Sequence, residues 1–150
     1  MTRDVDLTLL TGFGGERAFI NALLGCYASR ISDAATFALQ HRVLLLRAPG
    51  GVGIDISLGA LRYEERVVSL ATEFAFEPGI SLRTCSAEDL IILKLFALRA
   101  LDVHDAEGVA IRNKDRLDWD YIAQELQALA EAKDDPGFLR SLDRIRGLTV

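Results

Sequence analysis

The chain has 150 residues, 50% of them hydrophobic and 26% charged, with a formal net charge of −5. That length and mix can bury a core, which excludes a disordered or fibrous protein. The negative balance excludes general affinity for nucleic-acid backbones, though not a local basic groove, and no apolar run is long enough to span a bilayer.

The first ten residues, MTRDVDLTLL, lack the charged and apolar regions of a signal peptide, so a cytoplasmic location is expected. Asp4–Leu10 alternates as a strand, with Val5, Leu7 and Leu9 on one face and Asp4, Asp6 and Thr8 on the other. Gly12, Gly14 and Gly15 break it. Glu16–Arg30 then spaces Phe19, Ile20, Leu23, Leu24 and Tyr27 as a helix does. Arg42–Arg47 and Gly51–Gly59 read as a hairpin closed by Pro49-Gly50-Gly51. In its second run Val52, Ile54 and Ile56 face one way, and Gly53, Asp55 and Ser57 the other. Leu61–Leu70 fits a short helix, and Thr72–Phe76 and Ile80–Thr84 are short extended pieces joined through Pro78-Gly79.

From Ser86 the pattern turns helical. Ser86 is placed to cap, with Asp89 completing a capping box, and Leu90–Leu101 predicts a largely buried helix. Val103–Ile111 suggests a second helix weakened by Gly108. Asp118 caps a third through Tyr121, Ile122, Leu126 and Leu129, and a last one starts near Pro136 in its first turn. The expectation is one α+β domain over 1–150, a mixed sheet flanked by helices. Residues 1–85 form its sheet-rich half and 86–150 its helical half. Cys26 and Cys85 are expected as two buried thiols rather than a disulfide.

Asp4 and Asp6 leave one face of a strand a few ångströms apart, an arrangement that repels unless a cation lies between them. Asp55 holds the polar face of another strand. If the two strands are neighbours, the three carboxylates converge, a hard oxygen set suited to Mg²⁺. A solvated strand edge explains Asp-x-Asp as readily, and pattern alone leaves both readings open.

TRDVDLTLL, GVGIDISLGALRYEERVV, SAEDLIILKLFALRALDVHDAEG and LDWDYI together resemble the nucleotidyltransferase superfamily of the AbiEii, minimal (MNT-like) type, over nearly the whole chain. The resemblance implies transfer of a nucleoside monophosphate from a nucleoside triphosphate to a hydroxyl of a protein, an RNA or a small molecule. It implies Asp4 and Asp6 as ligands of Mg²⁺ or Mn²⁺, and Asp55 as the third carboxylate, bridging a metal and helping to deprotonate the acceptor. It implies Lys94 at the triphosphate, with Lys94, Arg99, Asp102 and Asp105 recurring on successive helical turns. Taken alone, Lys94 reads as a snorkelling surface charge, and Arg99 with Asp102 as an intrahelical ion pair.

Relatives of this type carry a Gly-Gly or Gly-Ser turn ahead of the Asp-x-Asp, whose backbone amides cradle the triphosphate. Here Met1 stands three residues before Asp4, and Gly12, Gly14 and Gly15 follow the carboxylates. The expectation is either a gene start further upstream or a remnant with weak nucleotide binding. A catalytically inactive interaction module of a toxin–antitoxin or abortive-infection system, bound to a partner protein or to itself, is the alternative. His41 and His104 fit surface positions, and Trp119 and Tyr121 fit packing.

Overall fold

The computed structural model describes residues 4–97 and 99–149. The chain divides into two compact units, Met1–Ser69 and Leu70–Val150. The fold class is the expected α+β, with a mixed sheet and helices. Among the described residues no helix is long and apolar enough to cross a membrane.

The first unit runs β1 (Asp4–Leu10), α1 (Glu16–Cys26), β2 (Ala28–Ser29), α2 (Ala34–His41), β3 (Val43–Arg47), β4 (Gly53–Gly59) and α3 (Arg62–Leu70). Its sheet has the order β1-β4-β3-β2. β1 and β4 are parallel, which their long crossover allows; β3 is antiparallel to β4 and to β2. The hairpin between β3 and β4 forms as the sequence predicts. Its turn is closed by Ala48 N–H donating to Val52 O at 2.8 Å, with Gly51 at φ +86°, a conformation that favours glycine.

Alternation sends Leu44, Leu46, Ile56 and Leu58 to the side where Ile20 of α1 and Ala34 and Ala38 of α2 complete a buried core. Val5 and Leu7 of β1, on the edge of the sheet, remain 47% and 49% exposed. The predicted Glu16–Arg30 helix stops at Cys26, because Tyr27 turns extended (φ −129°, ψ 147°) and the chain must straighten to pair Ala28–Ser29 with β3. Cys26 is exposed rather than buried. It lies six residues past Ile20, roughly 240° round the helix from the buried stripe.

In the second unit β5 (Thr72–Glu77) and β6 (Ile80–Thr84) make an antiparallel hairpin, with Phe74, Phe76, Ile80 and Leu82 all exposed. Four helices follow: α4 (Ala87–Ala97), α5 (Ala100–Asn113), α6 (Trp119–Lys133) and α7 (Gly137–Gly147). Ser86 caps α4 as expected, its hydroxyl accepting from Asp89 N–H at 3.0 Å. Asp118 caps α6 through Tyr121 N–H at 2.9 Å. Pro136 sits at the cap position of α7, one residue ahead of its expected place.

Ile91, Ile92 and Leu95 are fully buried, but the run continuing to Leu101 is not one helix. α4 ends at Ala97, Arg99 is extended (φ −74°, ψ 149°), and Leu101 lies in the first turn of a new helix, 70% exposed. Ile122, Leu126, Phe138 and Ile145 complete the interior of this unit.

Candidate active site

The parallel register of β1 with β4 sets Asp6 opposite Asp55 and Asp4 opposite Gly53. The strands are neighbours, so the condition the sequence left open is met: all three carboxylates rise from the face of the sheet opposite the one that α1 and α2 cover. The next strand continues each row. Leu45 of β3 lies opposite Asp55, and Arg47 opposite Gly53.

Arg30 follows β2, and its N–H donates to Leu45 O at 3.0 Å, which places it at the end of the row Asp6, Asp55, Leu45. Its guanidinium crosses Leu45 and donates through Nη2 to Asp55 Oδ1, while Nη1 stands 3.7 Å from Asp4 Oδ1. A Cβ on Gly53 would collide with Asp4 Oδ1 and lie 2.8 Å from Arg30 Nη1. Gly53 is therefore the floor on which carboxylate and guanidinium meet. Arg30 Nε is buried without a hydrogen-bond partner among the described residues.

Among the described residues no group of three or more His, Cys, Asp and Glu side chains forms a ready metal cage. The cation that Asp4 and Asp55 share is Arg30. That sharing is also the test of fit for a divalent ion. Two of the carboxylates already converge on one positive charge, the third stands directly across from Asp55, and their oxygens are the hard donors Mg²⁺ and Mn²⁺ take.

Lys94, Arg99, Asp102 and Asp105 meet in the second unit. Lys94 Nζ is 3.4 Å from Asp102 Oδ1 and 3.5 Å from Asp105 Oδ2, and Arg99 Nε donates to Asp102 Oδ2 at 2.5 Å. Asp102 is 3% exposed.

A family profile described as nucleotidyl transferase AbiEii toxin, type IV TA system, matches residues 1–142. The chain belongs to that family. No curated protein matches it.

The loop that follows the carboxylates has a structural task in this AbiEii-family chain. Thr11 and Gly12 N–H both donate to Gly59 O, at 3.0 and 3.1 Å, tying the end of β1 to the end of β4. Arg42, itself at φ +56°, donates to Glu16 Oε1 at 2.6 Å, to Gly12 O at 3.2 Å and to Leu58 O. Its hydrogen bond and charge hold the Glu16 carboxyl below the usual range. The loop is thus closed down by an arginine.

Asp102 also titrates low. Burial alone would raise it, but hydrogen bonds and charge from Arg99 and then Lys94 outweigh that. Cys85, partly rather than fully buried, is pushed up by burial and by the nearby Asp89 charge, which keeps its thiol protonated at neutral pH. His41 and His104 are exposed, as expected, and Tyr121 hydroxyl donates to Asp89 Oδ1 at 2.8 Å.

The residue that sequence reasoning missed is Arg30. It lies 25 positions from Asp55 and pairs with no motif, so only the strand register reveals it.

Proposed function

We propose that this AbiEii-family domain transfers a nucleoside monophosphate from a nucleoside triphosphate to a hydroxyl of a protein, an RNA or a small molecule. The observation that carries the reading is the register Asp6 opposite Asp55, with Asp4 on the same face and a cation shared between Asp4 and Asp55. Asp4, Asp6 and Asp55 would hold Mg²⁺ or Mn²⁺, which when bound neutralises phosphate charge and lowers the barrier to displacement. The chain's own part is to position and to take a proton. The acceptor oxygen bonds to the α-phosphorus, the bond to the bridging oxygen breaks, and pyrophosphate leaves. Asp55, the most enclosed of the three and set between β1 and β3, accepts the proton of the attacking hydroxyl.

The proposal includes a cytoplasmic location, where nucleoside triphosphate is supplied, and an antitoxin as the counterpart that restrains the activity. Thermal unfolding tests the binding step. A nucleoside triphosphate with Mg²⁺ or Mn²⁺ should raise Tm in the parent chain, and Asp4→Ala or Asp55→Ala should abolish the shift. No shift in the parent chain at saturating nucleotide would refute it.

A second reading, a non-catalytic module that binds another chain, is favoured by the exposed Val5 and Leu7 on the edge strand and by the apolar β5–β6 face. It calls for an oligomer or complex in solution that persists unchanged when Asp55 is replaced.

A further inference from the structure

Arg30 occupies the position that a cation held by Asp4 and Asp55 must take. Nη2 is hydrogen-bonded to Asp55 and Nη1 faces Asp4, over the space that Gly53 leaves open. A guanidinium and a divalent ion cannot both lie there. They claim the same oxygens, and their like charges would be only a few ångströms apart.

Arg30 is also poorly satisfied where it is. Its Nε is buried with no acceptor among the described residues, a cost that a different anion could remove. The backbone of Arg30 is fixed by its bond to Leu45 O, so a displaced guanidinium stays beside the carboxylate face. It then needs a new anionic partner. A planar five-donor fork is matched to phosphate oxygens, and the triphosphate is the anion that the reaction brings to this face.

We propose that Arg30 is a resident counter-ion exchanged for the metal, so that metal and triphosphate load together and neither loads well alone. This rests on the metal-dependent reading above. It makes Arg30 a positioning residue: it holds the carboxylates together in the free protein and turns to the phosphates in the loaded one. Positive coupling between two ligands is reciprocal, so it is measurable from either side without turnover.

The test is Mn²⁺ binding to the full chain, read by electron paramagnetic resonance, with and without a non-hydrolysable nucleoside triphosphate analogue. The parent chain should bind Mn²⁺ weakly alone and roughly tenfold or more tighter with the analogue, beyond the affinity of the analogue itself for Mn²⁺. Arg30→Gln should bind Mn²⁺ alone more tightly than the parent and lose most of the coupling. Should that variant fail to fold, Arg30→Lys, which keeps the charge but not the fork, should show the same loss in weaker form.

Equal Mn²⁺ affinities in the parent and the folded arginine variant, with coupling unchanged, would overturn the exchange while leaving the metal site standing. Mn²⁺ binding indifferent to Asp55→Asn in every background would overturn the metal site itself, and the exchange with it.

Discussion

In the second unit Asp102 is 3% exposed and is met by both Lys94 and Arg99, with Asp105 on the far side of Lys94. In the first unit Asp4 and Asp55, with side chains 47% and 24% exposed, share the guanidinium of Arg30. A deeply buried carboxylate ringed by cations is a structural solution, because its charge is repaid on the spot and it has nowhere to go. Partly open carboxylates on adjacent strands, bridged by a guanidinium with a donor left unsatisfied, form a site whose counter-charge can be exchanged. The same residue types therefore do different work, and burial with charge balance separates them.

The largest expected effect comes from the open cluster and falls on activity. Asp55→Asn should reduce nucleotidyl transfer by more than about 100-fold, beyond the usual loss from removing a residue behind a metal ligand. Its unfolding free energy should change by less than about 1 kcal/mol, because the ion pair it breaks is partly solvated. A radiolabelled-triphosphate assay beside urea unfolding reads both, and substantial activity in the folded variant would remove Asp55 from the site.

The buried cluster should behave in the opposite way. Asp102→Ala removes the buried anion that Lys94 and Arg99 share, while Lys94 keeps Asp105 and Arg99 is largely solvated, and should cost about 2 kcal/mol of stability. A loss below about 1 kcal/mol by urea unfolding would show that Asp102 is not structural.

The same contrast appears with pH. The folded-state pKa of Asp102 lies below its ordinary value of 3.8, so its stabilisation is fully present above that value and disappears as pH falls through the folded one. Stability of the parent chain, followed by thermal unfolding from pH 6 to pH 2, should therefore decline most steeply below about pH 4. Asp102→Ala should flatten that decline; an unchanged slope would assign it to other carboxylates.

Much of this was legible in the residues. Alternation located β1 and β4, the Pro-Gly-Gly turn located β3 beside β4, and Ser86 and Asp118 marked helix starts that their side chains do cap. The carboxylate trio followed from the same alternation once β1 was known to pair with β4. What stayed hidden is non-local. α2 is an eight-residue helix whose preceding Asp33 makes no side-chain cap, so it announces itself only by the core it covers. The break at Arg99 is invisible in an apolar run that continues through Leu101. Arg30 could not be read at all, because its meaning comes from one backbone bond to Leu45 and the absent side chain of Gly53.

The smallest effect is the one that best sharpens the comparison, because Lys94 is the residue on which family resemblance and geometry pull apart. The resemblance nominates it for the triphosphate, whereas in this chain its ammonium is held between Asp102 and Asp105. If that pairing is its work, Lys94→Met should lower stability by about 1 kcal/mol, since the side chain is only 20% exposed and Asp102 keeps Arg99. The KM for triphosphate should then move less than about threefold, which is within 1 kcal/mol of binding. If Lys94 grips the triphosphate instead, the pattern reverses: KM rises tenfold or more while unfolding is scarcely altered, as expected for lost ground-state binding. Measuring KM and urea unfolding on one preparation decides whether the catalytic machinery ends with the carboxylates of the first unit or extends to an ammonium on α4.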